Sequence, residues 1–330
     1  MPELHDSFGR RVDYLRISVT DRCNLRCAYC MPASGVSWKP RQDLLSASEI
    51  ERVVRAAAGL GIRRVRLTGG EPLARPDLVA LVRALARIDG IEEISLTTNG
   101  MLLERLAAPL AAAGLKRVNV SLDSLRPETF RRLTRFGEIE RLWRGLAAAE
   151  RAGLAPIKLN TVVIRGVNDD ELADFAALTL SRPWHVRFIE LMPVGNLGDW
   201  GEGFPPQAER YYSIHEMLAQ LRPLGLTPCA APAGNGPARV YRIPGAAGTI
   251  GFISPLGEHF CETCNRLRLT ADGRLRPCLL REGEIDARDV ARRGGDVAEL
   301  IHLAAQRKPI GHALASAPGP VDRMMCQIGG

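Results

Sequence analysis

Three cysteines lie within eight residues near the N-terminus, and this group constrains the fold more than any other feature of the chain. Cys23, Cys27 and Cys30 stand in the segment DRCNLRCAYCM. A disulfide bond would use two of them, would leave one thiol over and would need a strained local ring. Thiolates are soft ligands that suit zinc and iron–sulfur clusters. The spacing therefore predicts a metal centre rather than a disulfide.

Composition indicates the setting in which such a centre would form. No apolar run approaches the roughly 20 residues of a membrane helix, and the N-terminal segment MPELHDSFGRRVDYLR lacks the apolar stretch of a signal peptide. We therefore expect a cytoplasmic protein with no membrane partner, in which all eight cysteines stay reduced. The net charge of +7 comes from basic residues spread along the chain, a pattern that disfavours a nucleic-acid partner.

Strand-like and helix-like segments alternate before about residue 195, which predicts an α/β fold with a parallel sheet. A capping box from Ser46 to Glu49 marks the start of the first main helix. Six successive βα units predict an incomplete (β/α)6 TIM-like barrel, with a flavodoxin-like open sheet as the alternative. The predicted strands are RVDYLRISV, RRVRLT, EEISLTT, KRVNVSL, PIKLNTVVI and HVRFIEL. Shorter strands at 238–243, 248–253 and 266–276 predict a smaller C-terminal α+β region.

Polar residues alternate with apolar ones in these strands, although helices should cover the outer face of a barrel. In RRVRLT, Val65 and Leu67 form one face and leave Arg64, Arg66 and Thr68 on the other. Five strands share this pattern, and buried arginines without partners would be costly. We therefore predict a wide, wet and basic cavity for an anionic ligand. The inward-facing set also includes Arg16, Ser18, Ser95, Thr97, Asn119, Ser121, Asp123, Lys158 and Asn160.

The Cys-x3-Cys-x2-Cys spacing of the first trio, directly after the first strand, resembles the signature of the radical S-adenosylmethionine (SAM) enzymes. The segments TGGEPL, TTNG and SLDS end the next three strands in the order of that family, where barrel active sites form. The resemblance implies a 4Fe-4S cluster on the three cysteines and SAM on its open iron. It also implies SAM contacts from Tyr29, Gly70, Ser121 and Met192. A zinc knuckle is the alternative.

A second trio, Cys261, Cys264 and Cys278, lies in HFCETCNRLRLTADGRLRPCLL. The Asp-Gly pair at 272–273 predicts a hairpin that returns Cys278 to the other two. On spacing alone, a Cys3His zinc site completed by His259 fits these residues well. Beside the first motif, a second three-cysteine iron–sulfur cluster is the favoured interpretation, with an open iron for the substrate.

From the FGR before the first strand to the terminal RMMCQIGG, the chain resembles the GTP 3′,8-cyclase (MoaA) family of molybdenum cofactor biosynthesis. The resemblance implies two 4Fe-4S clusters, SAM cleavage to a 5′-deoxyadenosyl radical, and cyclisation of GTP between ribose C3′ and guanine C8. It further implies a flavodoxin, ferredoxin or reductase as electron donor, a downstream cyclic pyranopterin monophosphate synthase, and a possible homodimer. The implied GTP ligands are Arg16, Arg64, Arg66, Thr97, Lys158, Arg187, Arg266 and Arg268.

Two other functions share parts of this pattern. One is a radical SAM enzyme that modifies peptides and carries an auxiliary cluster, and the other is a zinc or iron–sulfur protein without enzymatic activity. Neither accounts for the predicted basic cavity together with the GGEP, TNG and SLD segments.

The domain assignment divides the chain at residue 220. Residues 1–220 are predicted to form the radical SAM barrel, and residues 221–330 the region with the auxiliary cluster, GTP ligands and Gly-Gly tail. The resemblance implies that the tail reaches the site, whereas a frayed end is the alternative. Cys229 and Cys326 lie outside both trios and are predicted to be ordinary thiols.

Overall fold

Between Tyr14 and Glu190 the chain forms six strands and six α-helices, which alternate as the sequence predicts except that two helices separate the fourth strand from the fifth. The computed structural model describes residues 3–195, 198, 200–232, 236–258, 260–312 and 323–329. The strands are β1 (Tyr14–Ser18), β2 (Arg64–Thr68), β3 (Glu93–Thr98), β4 (Arg117–Ser121), β5 (Lys158–Val163) and β6 (His185–Glu190). The helices are α1 (Ala47–Gly59), α2 (Leu78–Leu85), α3 (Leu103–Ala112), α4 (Pro127–Thr134), α5 (Ile139–Arg151) and α6 (Leu172–Ser181).

The C-terminal part contributes shorter elements. Its strands are β7 (Thr227–Pro228), β8 (Arg239–Arg242), β9 (Thr249–Ile253), β10 (Arg266–Leu269), β11 (Arg274–Arg276) and β12 (Ile285–Asp286). Its helices are α7 (Ile214–Leu221), α8 (Arg288–Arg292), α9 (Ala298–Gln306) and α10 (Met325–Ile328). No helix within the described ranges is long and apolar enough to cross a membrane.

All 12 strands join one sheet, in the order β12-β11-β10-β1-β2-β3-β4-β5-β6-β9-β8-β7. The consecutive order of β1 to β6 excludes the flavodoxin-like alternative, in which the first strand lies between the second and third. The predicted incomplete barrel is confirmed, and the C-terminal region enlarges it. Strand β9 pairs in parallel with β6, and β10 pairs in parallel with β1. The boundary at residue 220 stays a prediction, because strands from both sides of it share this sheet.

Amphipathic helices cover the outer face of the sheet. Val65 and Leu67 of β2 are completely buried there, as their alternation with arginines predicts. Helix α1 turns Ile50, Val53 and Ala57 towards this core. Its predicted capping box is present, because the Ser46 hydroxyl accepts from the Glu49 amide and the Glu49 carboxylate accepts from the Ser46 amide. Such a cap stabilises a helix by about 1 kcal/mol.

The predicted hairpin joins β10 to β11, which pair in antiparallel register. Gly273 occupies its turn with a φ of +81°, a left-handed conformation that side chains other than glycine rarely adopt. A Cβ there would also lie 2.7 Å from the Cβ of Arg288. The turn thus requires glycine at this position, and it brings Cys278 back towards Cys264.

Candidate active site

A cavity of about 240 Å³ opens at the carboxyl ends of the parallel strands. Strands from one end of the parallel run to the other contribute to its wall, so the sheet must curve around it. The strand residues facing the cavity include Arg16, Arg66, Thr97, Ser121, Asn160, Arg187, Ile253, Arg266 and Arg268. The predicted polar interior therefore exists, and it faces one enclosed space.

The first cysteine trio lies on the loop after β1, and all three thiols line this cavity. Backbone bonds fix the loop: the Ala28 amide donates to the Leu133 carbonyl at 2.9 Å, and the Cys30 amide donates to the Cys27 carbonyl at 2.8 Å. Burial raises the pKa of Cys23 to about 11 and also raises the pKa of Cys27, where Asp123 adds to the effect. Enclosed thiols of this kind need a bound cation before they ionise.

Gly70 and Glu71 pack against the start of the cysteine loop and hydrogen-bond to it. The Gly70 amide donates to the Thr20 carbonyl at 2.8 Å, and the Glu71 amide donates to the Arg22 carbonyl at 2.7 Å. A Cβ at Gly70 would lie 2.3 Å from the carbonyl oxygen of Arg22. The glycine is therefore required by the close packing of the chain beside Cys23, in addition to any approach to a ligand.

Two buried carboxylates connect the motif segments: Glu71, which the sequence analysis did not select, and Asp123, which it placed in the inward-facing set without a role. Glu71 accepts hydrogen bonds from the Thr98 hydroxyl, the Asn99 amide and the Leu73 amide, at 2.7 to 2.9 Å. Burial raises the pKa of Glu71 to about 7. This carboxyl thus joins the GGEP and TTNG segments. A Glu directly after two glycines at a strand end is the signal that could have identified it.

Asp123 connects the SLDS segment to Tyr29 of the cysteine loop. Its carboxylate accepts from the Tyr29 hydroxyl at 2.7 Å and from the Val162 amide at 2.9 Å. Burial raises the pKa of Asp123 to about 6. The tyrosine between Cys27 and Cys30 is therefore oriented by the SLDS segment. All four predicted SAM contacts line the cavity, namely Tyr29, Gly70, Ser121 and Met192.

The second trio lines an adjoining cavity of about 80 Å³. Cys261 and Cys264 precede β10, and Cys278 follows β11. The two cavities share part of their walls, so the trios face one continuous space. The shared residues are Met192, Pro255, Phe260, Arg266, Arg268 and Leu279.

Lys308, which the sequence analysis did not select, reaches the second trio. Its buried ammonium donates to the Cys264 sulfur at 3.5 Å and to the Arg266 carbonyl at 2.8 Å. Burial opposes ionisation of Cys264, but Lys308 and Arg266 outweigh it and lower the pKa of this thiol below its usual value. This thiol is therefore prepared to act as a thiolate ligand. Only the folded path of the chain after α9 brings Lys308 here.

The zinc alternatives require several ligands around one metal ion. Among the described residues, no group of three or more His, Cys, Asp or Glu side chains is spaced to hold a single metal ion. His259, the candidate fourth ligand of a Cys3His site, lies outside the described residues.

The arginines of the cavity carry charge that the protein only partly balances. Burial lowers the pKa of Arg66 to about 9, and burial together with Arg268 does the same for Arg16. Buried polar atoms of the wall without a hydrogen-bond partner include the Thr97 hydroxyl and the Nε atoms of Arg187 and Arg266. A ligand rich in anionic oxygens would satisfy them. The cavity residues therefore fit the anion that the sequence predicts.

Two predicted GTP ligands are not part of the cavity wall. Arg64, at the start of β2, donates to the Asp13 carboxylate at 2.8 Å. Lys158 starts β5 and is buried, where burial and then the nearby Arg187 lower its pKa to about 6. Alternation predicted the face of each strand on which these residues lie. It did not predict that neither side chain lines the cavity.

The C-terminal tail reaches the cavity. Arg268 donates to the Gly329 carbonyl at 2.7 Å, and a Cβ at Gly329 would lie 2.7 Å from the Thr68 side chain. Arg323 anchors the tail through a two-pronged ion pair with Asp272, at 3.0 and 3.1 Å. Within residues 323–329 the frayed-end alternative is therefore wrong. Gly330 lies outside the described residues.

Cys326 has a position that its sequence context did not indicate. It is buried, lines the main cavity, and its thiol is hydrogen-bonded to that of Cys30. This contact contributes most to raising the pKa of Cys30, followed by burial. The tail thus brings a fourth thiol beside the first trio.

Two family models match successive parts of the chain. The chain matches the Radical SAM superfamily model over residues 17–179 and the Molybdenum Cofactor Synthesis C model over residues 184–314. It is 51% identical to the GTP 3′,8-cyclase of Moorella thermoacetica, with 99% of this chain and 100% of that protein covered. It is 52% identical to the GTP 3′,8-cyclase of Heliobacterium modesticaldum, with 98% and 99% covered.

Among solved structures, Streptococcus suis SuiB bound to S-adenosylmethionine is similar in fold. The TM-score is 0.63 at 15% sequence identity, and 88% of this chain is covered. The match spans 65% of the SuiB chain, just under two thirds of its length. This likeness shows a shared fold and does not by itself indicate a shared function.

Proposed function

The chain belongs to the GTP 3′,8-cyclase family within the radical SAM superfamily, and from this membership we propose how its two cysteine trios and the intervening cavity are used. It is a radical SAM enzyme of molybdenum cofactor biosynthesis. It converts GTP to (8S)-3′,8-cyclo-7,8-dihydroguanosine 5′-triphosphate in the first step of that pathway. The assignments below concern the residues that carry this reaction.

Each cysteine trio is assigned to one 4Fe-4S cluster, Cys23, Cys27 and Cys30 to the first and Cys261, Cys264 and Cys278 to the second. The donor sets fit, because each trio supplies three thiols to one enclosed space and leaves one iron of a cube open. The first cluster and SAM supply radical chemistry when bound. The protein orients both and keeps water from the reacting atoms.

SAM is assigned to the part of the cavity beside the first trio. Gly70 borders this space, and Tyr29 is held at its edge by Asp123. Ser121 and Met192 complete the proposed contacts. Met192 also borders the second cavity, so it lies between the proposed SAM and GTP positions.

GTP is assigned to the basic part of the cavity, between the two trios. The observation that carries this assignment is the set of buried donors without partners on Thr97, Arg187 and Arg266. A triphosphate brings about four negative charges, and arginine forks bind its oxygens well. Arg16, Arg66 and Arg268 add further charge to the same wall. Arg64 is proposed to act on GTP through its charge, from outside the wall. Lys158 is proposed to do the same once the bound triphosphate raises its pKa and restores its proton.

The relations of the enzyme to other proteins are also proposals. A flavodoxin, ferredoxin or reductase would deliver the electron, and a cyclic pyranopterin monophosphate synthase would consume the product. We also propose that the enzyme forms a homodimer and is located in the cytoplasm. Support for the location comes from the six proposed ligand cysteines, which must stay reduced to hold their clusters.

Anaerobic reconstitution followed by incubation with SAM, a reductant and GTP tests the function directly. We expect 5′-deoxyadenosine to form only when GTP is present, together with the cyclised nucleotide. Formation of 5′-deoxyadenosine at the same rate without GTP would contradict the substrate assignment. Spectroscopy that finds one cluster per chain, or none, would contradict the assignment of the two trios.

A further inference from the structure

The two cysteine trios differ in the charged side chains that contact their sulfur atoms. Beside the first trio, burial raises the pKa values of Cys23 and Cys27, and the carboxyl groups of Glu71 and Asp123 add to this effect while Arg26 and Arg135 oppose it. In the second trio, burial also raises the pKa of Cys261, although Arg10 opposes it. At Cys264, by contrast, Lys308 and Arg266 outweigh burial and lower the pKa.

Lys308 is the cation in direct contact with a ligand sulfur of the second trio. Its Nζ atom lies 3.5 Å from the Cys264 sulfur, 2.8 Å from the Arg266 carbonyl oxygen and 3.4 Å from the Pro277 carbonyl oxygen. An ammonium group has three protons to donate, and three acceptors surround it. The side chain is therefore held in one orientation, and only 3% of the residue is exposed.

The N-terminal segment holds the backbone around Lys308 in place. Arg10 donates to the Pro309 carbonyl at 2.7 Å and to the Cys261 carbonyl at 2.7 Å. It also forms a buried ion pair with Asp6 at 2.6 Å. One arginine thus links the segment after α9 to the loop of the second trio. This explains how a residue 30 positions beyond Cys278 stays in contact with the site.

The first trio has weaker and uncharged donors to sulfur. The Leu25 amide lies 3.4 Å from the Cys23 sulfur, and the Asn99 amide nitrogen lies 4.0 Å from it. Hydrogen bonds to cluster sulfurs and nearby positive charge both favour the reduced, more negative state of an iron–sulfur cluster. The contrast between the trios therefore predicts a contrast in redox behaviour.

We infer that Lys308 is a positioning residue that raises the reduction potential of the second cluster through its charged N–H···S contact with Cys264. The inference rests on the proposed assignment of the second trio to a cluster. It identifies one residue that makes this cluster easier to reduce than its cysteines alone would.

An EPR-monitored redox titration of the anaerobically reconstituted full-length enzyme tests this role. Lys308→Met keeps the length of the side chain and removes its charge. We expect the ratio of reduced to oxidised second cluster, measured at the wild-type midpoint, to fall about tenfold. For a one-electron couple this corresponds to about 59 mV. The first cluster should titrate as in the wild type, and a full-length variant lacking the first trio identifies the signal of the second.

Two further variants separate charge from structure. Lys308→Arg keeps the charge and should stay within threefold of the wild-type ratio, and the exposed Lys116→Met should leave both clusters unchanged. If Lys308→Met does not hold the second cluster, Lys308→Gln is titrated instead. A wild-type ratio of reduced to oxidised second cluster in Lys308→Met or Lys308→Gln overturns the inference. Loss of the second cluster from both variants, while Lys308→Arg retains it, also overturns the inference, because it shows that the role of Lys308 is structural. A wild-type enzyme with only one cluster would instead refute the proposed function.

Discussion

Replacing Gly70 by alanine should remove the first cluster while leaving the rest of the fold intact. A Cβ at this position would lie 2.3 Å from the Arg22 carbonyl oxygen and 2.6 Å from the Asp21 carbonyl oxygen. Contacts of this kind below 3.0 Å are essentially never formed, so the two backbone segments must separate by at least 0.7 Å at the closer contact. Neither contact is with a flexible side chain that could turn away. Cys23 directly follows Arg22 in the chain, so it must move with the displaced Arg22 backbone.

The size of the effect follows from this displacement. Overpacking of a buried site costs roughly 1 to 3 kcal/mol, which a chain of this size tolerates without unfolding. Misplacement of reacting groups by about 1 Å can reduce turnover by about 100-fold. We therefore expect Gly70→Ala to form 5′-deoxyadenosine at no more than about 1% of the wild-type rate, with the residual turnover coming from the minority of chains that retain a displaced first cluster. Bound iron should fall from about eight per chain towards about four, as expected when one of two 4Fe-4S clusters is lost.

Gly59→Ala is the matched control for this experiment. A Cβ at Gly59, at the end of α1, would have no heavy atom within 4 Å. This variant should therefore keep both clusters, and alanine in place of helical glycine should stabilise it by about 0.5 to 1 kcal/mol. Iron and sulfide analysis, absorption spectra and thermal unfolding are measured on both proteins. A Gly70→Ala enzyme with full iron content and turnover within threefold of the wild type would refute the steric reasoning.

Four further changes test other parts of the site. Cys278→Ser should spare the first cluster and abolish the cyclised product, measured by iron content and chromatography; retained cyclisation would remove the second cluster from the reaction. Thr97→Val removes a buried hydroxyl without a partner, so it should weaken GTP binding about tenfold in calorimetry and slightly stabilise the free protein. In cluster-free protein treated with diamide, Cys326 should form a disulfide with Cys30, detected by peptide mapping and absent from Cys326→Ser. Burial raises the pKa of Glu71 to about 7, so the folded chain binds this proton more tightly than the unfolded chain. The free energy of unfolding should therefore fall by about 3 kcal/mol as the pH rises from about 4.5 to 7, and Glu71→Gln should remove this slope in urea titrations of the cluster-free protein.

The parts of the structure that depend on local pattern could be predicted from the sequence. Apolar residues at every second position, such as Val65 and Leu67, specify a strand and its buried face. The Ser46–Glu49 capping box and the turn at 272–273 specify an end of a helix and a hairpin in the same local way. These features need only a few neighbouring residues. They were therefore correct without knowledge of the fold.

Depth within the barrel and contacts between distant segments could not be predicted in this way. Arg64 and Arg66 share one face of β2, yet only Arg66 lines the cavity, because the Arg64 guanidinium donates to the Asp13 carboxylate instead. Lys308 and Cys326 approach the trios through the path of the chain after α9. No spacing in the sequence encodes that path. Their positions depend on hydrogen bonds between segments that are far apart in the sequence.

The position of β10 explains why the second trio and the proposed GTP ligands form one site. Cys264, Arg266 and Arg268 occupy alternate positions, and the hairpin returns Cys278 to the same end. Because β10 pairs with β1 in parallel, Arg268 stands opposite Arg16 and Arg266 opposite Tyr14. A shift of this pairing by one residue would turn both arginines away from the cavity and carry the cysteines with them. Cluster binding and substrate binding at this side therefore depend on one strand register, that of β10 on β1.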